Sequence, residues 1–91
     1  MSRVSAQVTI CNKLGLHARA ATKLAQLAQQ YDATVTLQQG EKTASAASVL
    51  GLLMLESSMG KRIEVIAEGA QAQSALDAVC QLIQARFDES E

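Results

Sequence analysis

The chain carries a single histidine, in the run Leu14-Gly15-Leu16-His17-Ala18-Arg19. Gly15 sits in a loop that closes a strand pattern, and Ala18 opens a segment of helical spacing, so His17 falls at a helix start. Such a start offers backbone N–H groups without intrahelical acceptors and the positive end of the helix dipole, which together attract an anion. The same field, with Arg19 beside it, is expected to disfavour an imidazolium, which would leave a neutral ring with a free lone pair. Arg19 adds a planar fork of donors matched to phosphoryl oxygens. A nucleophile beside an anion cradle suits taking up and giving away a phosphoryl group. Taken alone, a histidine near a helix end is a cap or a solvated side chain; its neighbours tip the reading toward chemistry. No Ser-His-Asp set, metal-ligand cluster or Gly-rich phosphate loop accompanies it, so neither a metal nor a cofactor is expected.

The elements that must hold this site follow from periodicity. Val4, Ala6, Val8 and Ile10 alternate with Ser5, Gln7, Thr9 and Cys11, a strand with one buried face that ends at Asn12-Lys13-Leu14-Gly15. Ala21, Leu24, Leu27, Ala28 and Tyr31 recur at helical spacing after Ala18. Ala33, Val35 and Leu37 form a second strand that turns at Gln39-Gly40-Glu41 into a weaker third, Lys42 to Ser45. Ser48 opens a short apolar helix to about Glu56, and Met59-Gly60 breaks it. Ile63, Val65 and Ala67, set against Glu64, Ile66 and Glu68, make a fourth strand. A last helix carries Ala72, Leu76, Val79, Cys80, Ile83 and Phe87 on one face, and the acidic tail Asp88-Glu89-Ser90-Glu91 is expected to fray. The order β-α-β-β-α-β-α predicts an α+β open-faced two-layer sandwich, with the helices covering the apolar face of a four-stranded sheet.

Composition narrows the partners. Ninety-one residues fit one domain, residues 1–91, with no room for a second. Eight basic against nine acidic side chains, one Tyr, one Phe and no Trp provide neither the positive face nor the stacking platform that nucleic acids need. The longest apolar run, Val49 to Leu55, is seven residues, far short of the roughly 20 that span a bilayer, and Met1-Ser2-Arg3-Val4 is not a secretory signal. The protein is therefore expected in the cytoplasm, with Cys11 and Cys80 as ordinary reduced thiols.

Two features remain. Ser48 is either an N-cap, its hydroxyl satisfying a helix amide, or a site where a phosphate would meet a helix start; the cap alone explains the residue type. In the short helix, Val49, Leu50 and Leu53 share one side, Met54 borders them, and Leu52 and Leu55 point away. A two-layer fold has little to cover both sides, so part of this surface is expected to meet a partner.

The run Asn12-Lys13-Leu14-Gly15-Leu16-His17-Ala18-Arg19 resembles the active-site motif of the HPr family, small phosphocarriers of the phosphoenolpyruvate-dependent phosphotransferase system. The likeness continues through Tyr31-Asp32-Ala33, Ser48, the Gly60 turn and the last helix. Leu52-Leu53-Met54-Leu55-Glu56-Ser57, Ile63-Glu64-Val65 and Phe87-Asp88-Glu89 look most like the NPr branch, which is associated with nitrogen-related regulation. The resemblance implies an antiparallel sheet and a phosphoryl group carried on Nδ1 of His17, received from enzyme I and given to an EIIA protein. It further implies that the Ala18 and Arg19 amides and the Arg19 side chain hold the phosphoryl oxygens. Leu16, Val49, Leu50, Leu53 and Met54 would dock the partners, and Ser48 matches a regulatory phosphoserine of some relatives. Many relatives have Pro where this chain has Ala20; alanine restores one donor in the first turn and leaves the helix intact.

Two other readings stay open on the residues. A regulatory paralogue would bind a target and use phosphorylation of Ser48 or His17 as a switch. A small-molecule-binding domain lacks a polar pocket motif. A carrier that meets each partner through one face is expected to be monomeric between encounters.

Overall fold

The computed structural model describes residues 2–89. Its elements are β1 (Ser2–Thr9), α1 (Ala18–Ala28), β2 (Thr34–Gln39), β3 (Lys42–Ser45), α2 (Val49–Met54), β4 (Arg62–Gly69) and α3 (Ala72–Gln84), followed by a tight turn over Arg86–Asp88. The four strands form one antiparallel sheet in the order β1-β4-β2-β3, as the sandwich reading expects.

Register explains which side chains enter the core. Val4 pairs with Ala67, Ala6 with Val65 and Val8 with Ile63, while Val35 and Leu37 of β2 face Ala67 and Val65 from the other side of β4. These positions alternate with a polar set, Arg3, Gln7, Glu64 and Glu68, and Arg3 Nε reaches Glu68 Oε1 at 3.3 Å across the open face. Ile66 falls on that open face yet is nearly buried, between Ser5 and Thr36. It stays outside the core cluster.

The helices bury the stripes their spacing predicts. Ala20, Ala21, Leu24, Ala25 and Ala28 of α1 are buried, as are Ala72, Ala75, Leu76, Val79 and Ile83 of α3. α3 lies on β1 and β4, and α1 packs against α2 and α3. A face built largely of alanine lets α1 approach its neighbours closely.

Several boundaries move. β1 ends at Thr9, two residues before the expected Cys11, although Ile10 beyond it is fully buried. α2 stops at Met54 rather than Glu56, because Glu56 turns into the left-handed region at φ +56°. Ser48 caps α2, its Oγ accepting from the Gly51 amide at 3.0 Å. Cys11 Sγ donates to the Ile83 carbonyl at 3.4 Å, and burial with the nearby Asp77 pushes the Cys80 thiol up from its ordinary value.

The largest departure is at the tail. α3 ends at Gln84, and Phe87 reaches the core by another route: Arg86, Phe87 and Asp88 take left-handed φ of +60°, +54° and +63°. That turn drives the Phe87 ring into full burial. Lys23 fastens it from α1, donating Nζ to the Phe87 carbonyl at 2.9 Å. Asp88 and Glu89 are therefore placed rather than frayed; Ser90 and Glu91 lie outside the described residues.

Candidate functional site

The site grows from the end of the sheet where β1 finishes and β4 begins. Beyond the last strand pair, Ile10 donates to the Lys61 carbonyl at 2.9 Å and Gly60 donates back to Ile10 at 2.8 Å. Two loops extend from this ladder, residues 11–17 and 55–61. They are tied together where Leu16 donates to the Ser57 carbonyl at 2.8 Å. Gly15, at φ +66°, fits between them because it has no Cβ. Ser57 is held in turn by Gln39, its hydroxyl donating to Gln39 Oε1 at 2.6 Å.

This clamp delivers His17 to the N-cap of α1 with extended backbone. The His17 carbonyl accepts from the Ala21 amide at 2.8 Å, and its side chain makes no cap bond. The first-turn amides of Ala18, Arg19 and Ala20 precede the first intrahelical bond, from Ala21 to His17, and have no hydrogen-bond acceptor among the described residues. The His17 side chain is 25 % exposed and that of Arg19 is open to solvent.

A second group enters from the tail. Glu89 Oε2 hydrogen-bonds His17 Nε2 and lies 3.6 Å from Arg19 Nη2, while Glu89 Oε1 accepts from Asn12 Nδ2 at 2.9 Å. The Glu89 side chain is only 10 % exposed. The Asn12 hydrogen bond holds its carboxyl below the ordinary range, helped by the His17 contact and the Arg19 charge and opposed by burial. Asn12 is fully buried and also donates to the Gly15 carbonyl at 2.8 Å, so one amide links the loop to the carboxylate. Its Oδ1 is buried without a partner among the described residues.

The sequence-predicted residues divide by location. His17, Ala18 and Arg19 meet at the helix start. Leu50 and Met54 are 70 % and 66 % exposed, and Val49 and Leu53 are partly buried, whereas Leu52 and Leu55 are inside. Leu16 corrects its expected docking role: at 5 % exposure it belongs to the core, because its amide follows the Ser57 carbonyl inward. Leu14 and Met59, on the two clamped loops, are also large apolar side chains left exposed, and they carry no periodic signal that would single them out. Asn12 and Glu89 were also missed. Among the described residues no cluster of metal-ligating side chains forms, and no helix is long and apolar enough to cross a membrane.

Comparison with known proteins agrees with this geometry. A family model described as PTS HPr component phosphorylation site matches residues 4–85. The phosphocarrier protein NPr of Shewanella violacea is 64 % identical over 90 residues, covering 99 % of both chains. NPr of Escherichia coli K12 is 52 % identical over 87 residues, 94 % of this chain and 97 % of that one. The crystal structure of a Thermoanaerobacter tengcongensis HPr superposes with a TM-score of 0.89 at 32 % identity, covering 100 % of both chains. A histidine at a helix start beside first-turn amides, on this sheet and with these relatives, places the chain in the HPr family: it is a phosphocarrier of the phosphotransferase system, with NPr proteins among its relatives.

Proposed function

We propose that this chain accepts a phosphoryl group on Nδ1 of His17 from phosphorylated enzyme I and passes it to an EIIA protein in the cytoplasm. The observation that carries the reading is the position of His17, a partly exposed imidazole at the start of α1 beside first-turn amides that have no acceptor among the described residues. The Ala18 and Arg19 amides and the Arg19 guanidinium would hold the phosphoryl oxygens, so that the chain's part in catalysis is positioning for in-line transfer. Val49, Leu50, Leu53 and Met54 supply a small apolar docking surface suited to brief, exchangeable complexes of a monomer. Incubation with enzyme I and labelled phosphoenolpyruvate tests this. Acid-labile, alkali-stable label that is absent from His17→Ala supports the proposal; no label with any cognate enzyme I sinks it.

A further inference from the structure

Glu89 stands 72 residues from His17 in sequence and touches its ring. Three independent features build the contact. Phe87, fully buried, and the left-handed turn around it aim the chain at the site; Lys23 pins the Phe87 carbonyl; Asn12 fixes the carboxylate by donating to Oε1. An ionised carboxylate has only acceptors, so the nitrogen it meets must carry the proton. His17 Nδ1, by contrast, has no hydrogen-bond partner among the described residues.

We propose that Glu89 is a positioning residue for phosphoryl transfer: by accepting from His17 Nε2–H it fixes the imidazole tautomer and ring orientation, leaving the Nδ1 lone pair as the nucleophile. This rests on the reading of His17 as phosphoryl acceptor. In the transfer step the Nδ1 lone pair forms the new N–P bond, and the electron pair of the breaking bond returns to the leaving atom of the phosphorylated donor protein. The ring becomes a cation that keeps its Nε2 proton, facing the Glu89 carboxylate, which stabilises it as a buried carboxylate stabilises an imidazolium in acyl-transfer enzymes. Reverse flow of the same electrons delivers the phosphoryl group to an acceptor.

Asn12 makes the proposal sharply testable. In Glu89→Gln the amide oxygen should stay on Asn12 Nδ2, which turns the new NH2 group toward His17 Nε2 and drives the ring proton to Nδ1. Glu89→Ala removes the constraint without reversing it. Nitrogen-15 spectra of the ring and rates of label uptake from phospho-enzyme I are measured on wild type and both variants. Expected are Nε2-protonated wild type, a shift toward Nδ1-protonated Glu89→Gln, and uptake falling in the order wild type, Glu89→Ala, Glu89→Gln, the last by at least about tenfold. Equal ring spectra in all three proteins overturn the proposal, as does uptake by both variants at or above the wild-type rate, which would make Glu89 an obstruction. Should wild type take no label on His17, the carrier reading fails separately, while the ring spectra still decide whether Glu89 sets the tautomer.

Discussion

Gly15 packs so tightly on Ser57 that a Cβ built on it lies 2.5 Å from the Ser57 carbonyl oxygen and 2.8 Å from Ser58 Cα. Both obstacles are backbone, in the loop clamped to the one that carries His17. Gly15→Ala is therefore expected to lower stability by about 1–3 kcal/mol, combining left-handed strain with the clash, and to slow label uptake. Gly40→Ala is the control, since φ there is +60° but nothing lies within 4 Å of its Cβ. Urea midpoints should fall further for Gly15→Ala than for Gly40→Ala; equal losses would refute a steric role for the clamp.

The surface of α2 separates docking from packing. Leu50→Ser and Met54→Ser should change stability by no more than about 0.5 kcal/mol, because both side chains are exposed. The same substitutions should raise the KM for transfer from enzyme I. Leu52→Ala, on the buried side of the same helix, should cost about 2–5 kcal/mol. Unchanged transfer kinetics in both exposed variants would remove α2 from the docking surface.

Glu89 should leave a mark on acid stability. Its carboxyl is depressed in the folded protein relative to the ordinary value near about 4.3, so the contact stabilises the fold fully above that value. The contribution disappears as pH falls through the folded-state value, where the native carboxylate takes up its proton. Denaturation midpoints followed from about pH 6 down to about pH 2 should decline more steeply in wild type than in Glu89→Ala. Parallel curves would contradict the depression.

The left-handed turn makes a paired prediction. Phe87→Ala empties a fully buried ring site and is expected to cost about 3–5 kcal/mol. Arg86→Gly, at an exposed position with φ +60°, relieves roughly 1 kcal/mol of strain, partly offset by the freer unfolded chain. Its melting temperature should match or exceed that of wild type. A clear drop for Arg86→Gly would argue against left-handed backbone there.

Local signals made much of the fold legible. The β2–β3 hairpin and the start of α1 follow from alternation, Gly40 and helical spacing, and the expected Lys42–Ser45 strand is the one observed. His17 and Arg19 were legible because residue type and helix position lie within three residues. Glu89 was not, because its placement depends on three consecutive non-glycine residues taking positive φ, which propensity disfavours and only the burial of Phe87 and the grip of Lys23 sustain. Leu16 misled for a related reason. A loop has no period to announce its inward side chains, and this one turns inward to reach Ser57.

The clamp around Gly15 is a continuation of the β1–β4 ladder, through Ile10, Gly60 and Lys61, and this makes the site sensitive to strand length. A one-residue deletion in either strand displaces one loop relative to the other by about 3.3 Å, more than the reach of the Leu16 to Ser57 hydrogen bond. Length changes in β1 and β4 are thus coupled, and evolution or an engineer can alter the side chains of this site far more freely than its spacing.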